Sequence, residues 1–122
     1  MTYKKFEDIK VWQDARILVN NLYKLIKSNS SLAKDYSLCD QLKRASYSVM
    51  LNVAEGFERR SNKEFANFLN IAKGSAGEVR SIIHIVQDLY SVNVEQILEL
   101  IKEVEAISAQ LHGLRNYLLK AK

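Results

Sequence analysis

The sequence predicts an all-α protein with the architecture of an antiparallel up-down four-helix bundle. Proline is absent and glycine occurs four times in 122 residues, so little in the chain would break a long helix. Four segments carry apolar residues at alternating three- and four-residue spacing, which is typical of amphipathic helices. The links after the second and third segments are short, so we expect the helices that they join to run antiparallel.

The first helix is predicted near residues 9–28 and the second near residues 37–58. The polar run from Ser28 to Ser31 separates them. The apolar stripe of the first helix consists of Trp12, Ala15, Val19, Leu22 and Ile26. That of the second is Leu38, Leu42, Ala45 and Val49, followed at the same spacing by Asn52 and Gly56.

The third helix is predicted near residues 61–90 and the fourth near residues 93–120. Ser61 and Glu64 form a capping-box pattern, in which the serine hydroxyl accepts from a free backbone amide at the helix start. Asn93 is the expected N-cap of the fourth helix, with Gln96 three residues later.

The first and fourth helices carry more apolar residues than one stripe requires. The additional residues are Leu18 and Leu25 in the first helix and Leu100, Ile107 and Leu114 in the fourth. They indicate either a wide core or a subunit interface, since large exposed apolar patches are rare on monomers. Tyr23, Tyr47 and Tyr117 are candidates for such an interface, because an aromatic ring with a polar tip suits a boundary.

Length and composition indicate one domain, residues 1–122, in the cytoplasm. No apolar run approaches the roughly 20 residues of a membrane span, and no apolar signal core follows the basic start. Cys39 is the single cysteine, which fits a reducing compartment. The net charge is +4, and residues 41–80 carry seven basic and four acidic groups, so binding to nucleic acid is permitted but not required.

The hairpin formed by the second and third helices has small and polar residues at core spacing. We expect Ala45 to face Ala76 and Gly56 to face Phe65, because small residues let two helices approach closely. Asn52 and Glu55 are predicted to be a structural polar core, each bonded to a neighbouring helix, since an unsatisfied buried amide costs roughly 1–3 kcal/mol. A role in ligand or partner binding is the alternative for both residues.

Spaced motifs along the chain resemble the bacterial family of 23S rRNA intervening-sequence proteins. These are Phe6 to Ala15, Gln41 to Ala45, Asn52 to Gly56, Glu64-Phe65, Ala72 to Ser75, and Glu78. The family also includes the accessory variability proteins of diversity-generating retroelements. The resemblance implies a small α-bundle that assembles into a ring-shaped homopentamer. In the retroelement branch it also implies binding to nucleic acid and to a reverse transcriptase. The family's basic features fall here on Lys43, Arg44, Arg59, Arg60 and Lys73.

The turn at residues 59–63 is the best candidate for contact with phosphate. Arg59, Arg60 and Lys63 stand beside a helix N-terminus, whose free amides and dipole favour anions. Lys73 adds to this set, with Lys43 and Arg44 as secondary candidates. The alternative is a solvated turn.

Enzymatic signals in the sequence are weak, and we expect no enzyme, no cofactor and no metal site. Arg80 and His84 share a helix face, but small helical ribonucleases pair these residue types at a longer spacing. We therefore expect a non-enzymatic oligomer with a moderately basic surface, an accessory to nucleic acid or to a nucleic-acid enzyme such as a reverse transcriptase. The alternatives are a protein-only assembly scaffold and a small ribonuclease.

Overall fold

The structure, a computed structural model, describes residues 3–121, and in this part of the chain it is all-α without strands. A 3₁₀ turn at Phe6–Asp8 precedes five α-helices. They are α1 (Lys10–Lys27), α2 (Ser30–Ala33), α3 (Tyr36–Phe57), α4 (Asn62–Leu89) and α5 (Val94–Lys120). Each end of the four long helices lies within one residue of the bound expected from the sequence.

Side-chain caps define where three of the long helices begin. Ser61 accepts from the amide of Glu64 at 3.1 Å, and Asn93 accepts from the amide of Gln96 at 3.0 Å. Asp35 caps α3 by accepting from the amide of Leu38. These local bonds satisfy donors that have no partner within the helix. The sequence predicted the caps at Ser61 and Asn93 but not the one at Asp35.

The segment between α1 and α3 contains a short helix that the sequence did not predict. Asn29 accepts from the amide of Leu32 at 2.9 Å and so caps α2. The Leu32 side chain is completely buried, which fixes this single helical turn against the core. The Asn29 amide also donates to the backbone carbonyl of Ser91, so the two links at this end of the molecule are tied together.

One hydrophobic core joins the four long helices. Leu18, Leu25, Leu100 and Ile107 are all buried in it, and Leu114 packs against it half-buried. The additional apolar residues of the first and fourth predicted helices therefore widen the core. The exposed apolar side chains lie elsewhere, notably at Ile17, Leu51, Ile71, Leu89, Leu98 and Tyr117.

Contacts between the helices place α1 and α4 each between α3 and α5. Gln110 donates to Asp14 at 2.8 Å and Asn21 donates to Glu103 at 2.9 Å, so α1 and α5 run in opposite directions. Along α3 and α4, Ser48 pairs with Ser75, and Asp35 accepts from the hydroxyl of Tyr90 at 2.6 Å. These two helices are therefore antiparallel as well.

The cysteine of the chain is enclosed by the packing of α2 on α3. Cys39 is buried, and its thiol donates to the carbonyl of Leu32 at 3.1 Å. Burial raises the pKa of this thiol above its ordinary value, because the low-polarity surroundings disfavour the thiolate. Within residues 3–121, none of the helices combines the length and the hydrophobicity of a membrane span.

Candidate nucleic-acid interface

The turn between α3 and α4 is shaped by close packing at Gly56. A Cβ atom at this position would lie 2.7 Å from Cβ of Phe68 and 2.8 Å from Cδ1 of Phe65, so only glycine fits without movement. The rings of Phe57 and Phe65 meet edge to face with centroids 6.1 Å apart. These contacts hold the end of α3 against the start of α4, and the basic turn joins the two helices at this corner.

Arg59 is exposed, but its guanidinium group already contacts two neighbouring side chains. Its guanidinium carbon lies 4.7 Å from the centroid of the Phe68 ring, and its Nη2 atom lies 3.5 Å from Oε1 of Glu55. Both contacts offset part of the charge that a phosphate would meet.

Arg60 and Lys63 are also exposed, and unlike Arg59 neither takes part in an ion pair within residues 3–121. They flank Ser61, the N-cap of α4, where the free amides of the helix add positive potential. Three carboxylates share the corner, those of Glu55, Glu58 and Glu64. The formal charges of this corner are therefore balanced. A phosphate would be recognised by the positions of Arg60 and Lys63 rather than by a strongly positive electrostatic potential.

The other predicted contact residues lie away from this corner. Lys73 is exposed on α4, ten residues from Lys63 and hence roughly 15 Å along the helix. Lys43 places its ammonium 4.8 Å from the centroid of the Tyr23 ring, and Arg44 bonds to Asp40 at 2.8 Å. The six cations therefore follow the length of the hairpin and do not form one patch.

The polar core predicted at Asn52 and Glu55 is wrong in its details. Asn52 is half-buried and donates to the carbonyl and the hydroxyl of Ser48, one turn earlier in its own helix. The bond across the hairpin is made instead by Ser48 to Ser75. Glu55 is exposed and pairs with Arg59 rather than with another helix. The prediction placed these residues incorrectly because the apolar stripe shifts gradually around the helix. Asn52 therefore lies at the edge of the contact between α3 and α4, and Glu55 faces solvent.

The two residues considered for catalysis, Arg80 and His84, both lie on α4. Nη1 of Arg80 lies 3.6 Å from Oε2 of Glu105 on α5, and His84 is exposed on α4. Within residues 3–121 no group of three His, Cys, Asp or Glu side chains is placed to hold a metal ion.

The structure also reveals a surface feature that the sequence pattern did not identify. Leu51 is 65% exposed on α3 and lies between two shallow grooves. The first, of about 420 Å³, is lined by Phe6, Trp12, Tyr47, Met50, Leu51 and Ala54. The second, of about 470 Å³, includes Asn52, Glu55, Glu58 and Phe68. The sequence did indicate it indirectly, because Leu51 lies outside the apolar stripe of its helix.

The three tyrosines proposed for an interface have different surroundings. The hydroxyls of Tyr23 and Tyr47 are hydrogen-bonded to each other, which joins α1 to α3 beside the first groove. Tyr117 is 51% exposed near the end of α5.

Comparison with known proteins gives a family and a fold. Residues 7–113 match the family model described as 23S rRNA-intervening sequence protein. Among solved structures, a protein of unknown function from the S23 ribosomal protein family of Bacteroides thetaiotaomicron superposes with a TM-score of 0.77. The two sequences are 21% identical, and the match covers 85% of this chain and 96% of that one, so the likeness concerns the fold. No curated protein matches the chain.

Proposed function

Because the chain belongs to the 23S rRNA-intervening sequence protein family, we propose that it is a non-enzymatic, oligomeric, cytoplasmic protein that binds nucleic acid through its α3–α4 hairpin. The observation that carries this proposal is the placement of Arg60 and Lys63 beside the N-terminus of α4. Both are exposed, and both are outside the ion pairs described above. Lys73 extends the contact along α4, and Arg59, Lys43 and Arg44 contribute less because aromatic rings and carboxylates already engage them.

The four long helices form an up-down bundle in this proposal, and copies of the bundle assemble into a ring, a homopentamer by the family resemblance. The antiparallel course of α1 with α5 and of α3 with α4 supports the up-down arrangement. A ring places several copies of each hairpin side by side. Modest contacts from one copy are then multiplied, because linked binding sites act at a high effective concentration.

The bound nucleic acid, RNA or DNA, is held by phosphate contacts, so binding tolerates changes of sequence and weakens with salt. A titration of labelled RNA and DNA, single- and double-stranded, tests this by fluorescence anisotropy. We expect binding at about 50 mM salt and a loss of affinity of an order of magnitude or more by about 200 mM. No binding of any of these nucleic acids at the lower salt concentration would refute the proposal.

A second candidate function is a protein-only scaffold, whose ring recruits a protein partner such as a reverse transcriptase. It is favoured by the carboxylates of Glu55, Glu58 and Glu64, which balance the charge of the turn, and by the exposed side chain of Leu51. Light scattering together with the titration separates the two functions, since a scaffold assembles without affinity for nucleic acid. The ribonuclease hypothesis has less support, because Arg80 is engaged by Glu105.

A further inference from the structure

The outward face of α3 presents an apolar ridge that has the carboxylate of Glu58 at its border. Leu51 stands between the two grooves described above, and every ionisable group that lines them is acidic apart from the phenol of Tyr47. These acidic groups are Glu55, in the last turn of α3, and Glu58, just beyond it. Arg59 pairs with Glu55, whereas Glu58 takes part in no ion pair within residues 3–121, so Glu58 is the carboxylate open to a partner. The carbonyl groups at the C-terminus of α3 add partial negative charge at the same place. The surface therefore suits an apolar side chain that has a cation one helical turn away.

The end of α5 has the complementary composition. Residues 106–122 contain no acidic residue, whereas Arg115, Lys120 and Lys122 are basic. Gly113, Tyr117 and Lys120 follow at spacings of four and three, so they share one face of the helix. Tyr117 is 51% exposed, and a Cβ atom added to Gly113 would meet nothing within 4 Å, so another helix can approach this face closely.

An exposed leucine nearer the start of α5 has a different setting. Leu98, which is 52% exposed on the same helix, lies between Glu95, Glu99 and Lys102. Carboxylates beside it would meet the carboxylates of the α3 face, and like charges oppose association. Charge thus favours the end of α5 over its beginning as the matching surface.

The Leu51 surface and the end of α5 also lie at the same end of the protein. α3 and α5 lie diagonally across the molecule, since α1 and α4 each pack against both. Both helices run antiparallel to α4, so their C-terminal ends point to the same end of the protein. A second copy placed alongside in the same orientation would therefore bring its α5 end level with the α3 face of the first. Such a contact is heterologous, because it joins two different surfaces. If each copy is rotated relative to the one before so that the last meets the first, the repeated contact produces a ring.

We infer that the grooves around Leu51 receive the end of α5 from a second copy of this chain. Tyr117 packs against Leu51 and the apolar groove, and Lys120 pairs with Glu58. This inference rests on the proposed oligomer and adds to it the two surfaces that meet.

The test is a mixing experiment with two variants, Leu51→Asp and Tyr117→Asp, measured by light scattering and analytical ultracentrifugation. Each side chain is exposed, so we expect both variants to fold. Each has one damaged surface, and we expect its self-association to weaken at least about tenfold, as for a central interface residue. Mixed together they retain one intact pair of surfaces, so we expect a one-to-one dimer that does not extend further.

Leu98→Asp is the matched control, with similar exposure on the same helix, and it should assemble like the wild type. A charge exchange gives a second measurement: Glu58→Lys and Lys120→Glu each weaken assembly, and the chain that carries both changes recovers it. Normal assembly of both aspartate variants, or a mixture that stays monomeric, would overturn the inference while leaving the oligomer in place. A wild-type chain that is monomeric at all concentrations would overturn the oligomer itself.

Discussion

The hydroxyl groups of Ser48 and Ser75 hydrogen-bond to each other at 2.7 Å across the seam between α3 and α4. Ser48 also accepts from the amide of Asn52, so three polar side chains form one short network in an otherwise apolar contact. Because all three are half-buried, the network favours one register of the hairpin over its neighbours.

We expect Ser75→Ala to lower the free energy of unfolding by about 1 kcal/mol, since it removes one bond and leaves a partly buried hydroxyl without its partner. Ser48→Ala should cost more, because Asn52 loses an acceptor as well. Urea denaturation of the two single variants and the double variant measures the coupling. Additive effects would show that the two hydroxyls do not interact.

Gly56 and Gly74 should respond to alanine in opposite directions. At Gly56 the added methyl group meets Phe65 and Phe68 within 3 Å, and we expect a loss of about 1–3 kcal/mol. At Gly74 nothing lies within 4 Å, so the higher helix propensity of alanine should stabilise the protein by up to about 1 kcal/mol. Thermal and urea denaturation measure both changes, and a stabilised Gly56→Ala variant would contradict the close approach described here.

Glu103 should reduce stability at neutral pH. Burial between α1 and α5 raises its pKa, although a hydrogen bond from Asn21 acts in the opposite sense. A carboxyl whose pKa is raised on folding stabilises the folded state below its unfolded pKa, and that contribution is lost as the pH rises through the folded pKa. Glu103→Gln keeps an acceptor for Asn21, so we expect it to be more stable than the wild type at pH 7.

The measurement for Glu103 is a pair of urea titrations, one at pH 7 and one below the ordinary pKa of 4.5. The difference between the variant and the wild type should shrink at the lower pH, where both side chains are neutral. A difference that does not depend on pH would mean that the change acts through packing rather than charge.

Arg60 and Lys63 should determine the salt dependence of nucleic-acid binding. Each phosphate contact contributes roughly 0.7 to 0.9 to the slope of log affinity against log salt. We therefore expect Arg60→Ala with Lys63→Ala to reduce that slope by about 1.5 per bound hairpin. Lys102→Ala is the control, because this cation is exposed on α5, outside the α3–α4 hairpin, and lies beside Glu99. An unchanged slope in the double variant would place the contact elsewhere.

The sequence was sufficient for the helices because the signals that define them are local. Ser61 and Asn93 act on amides three residues away, and apolar spacing needs no knowledge of the neighbouring helix. The surroundings of Asn52 could not be obtained in this way. They depend on how far α3 is rotated about its axis, and a rotation of one residue, about 100°, exchanges a core position for a seam position.

The candidate site was predictable only in part for the same reason. The turn from Arg59 to Lys63 was identified from its charges, and its contact with phosphate stays a prediction. The stacking of Arg59 on Phe68, and the pairing of Arg44 with Asp40, depend on side-chain directions that composition does not contain. Leu51 was passed over because an isolated leucine outside a stripe has no periodic signal.

The enclosure of Cys39 has a practical consequence for measurement. The one thiol of the chain is buried, bonded to a carbonyl and disfavoured as a thiolate, so we expect it to react slowly with maleimide reagents at neutral pH. A cysteine introduced on the surface, for instance in place of Ser81, becomes the fast-reacting thiol of an otherwise native chain. Dyes or spin labels can then report distances between copies of the protein without first removing a residue from its core.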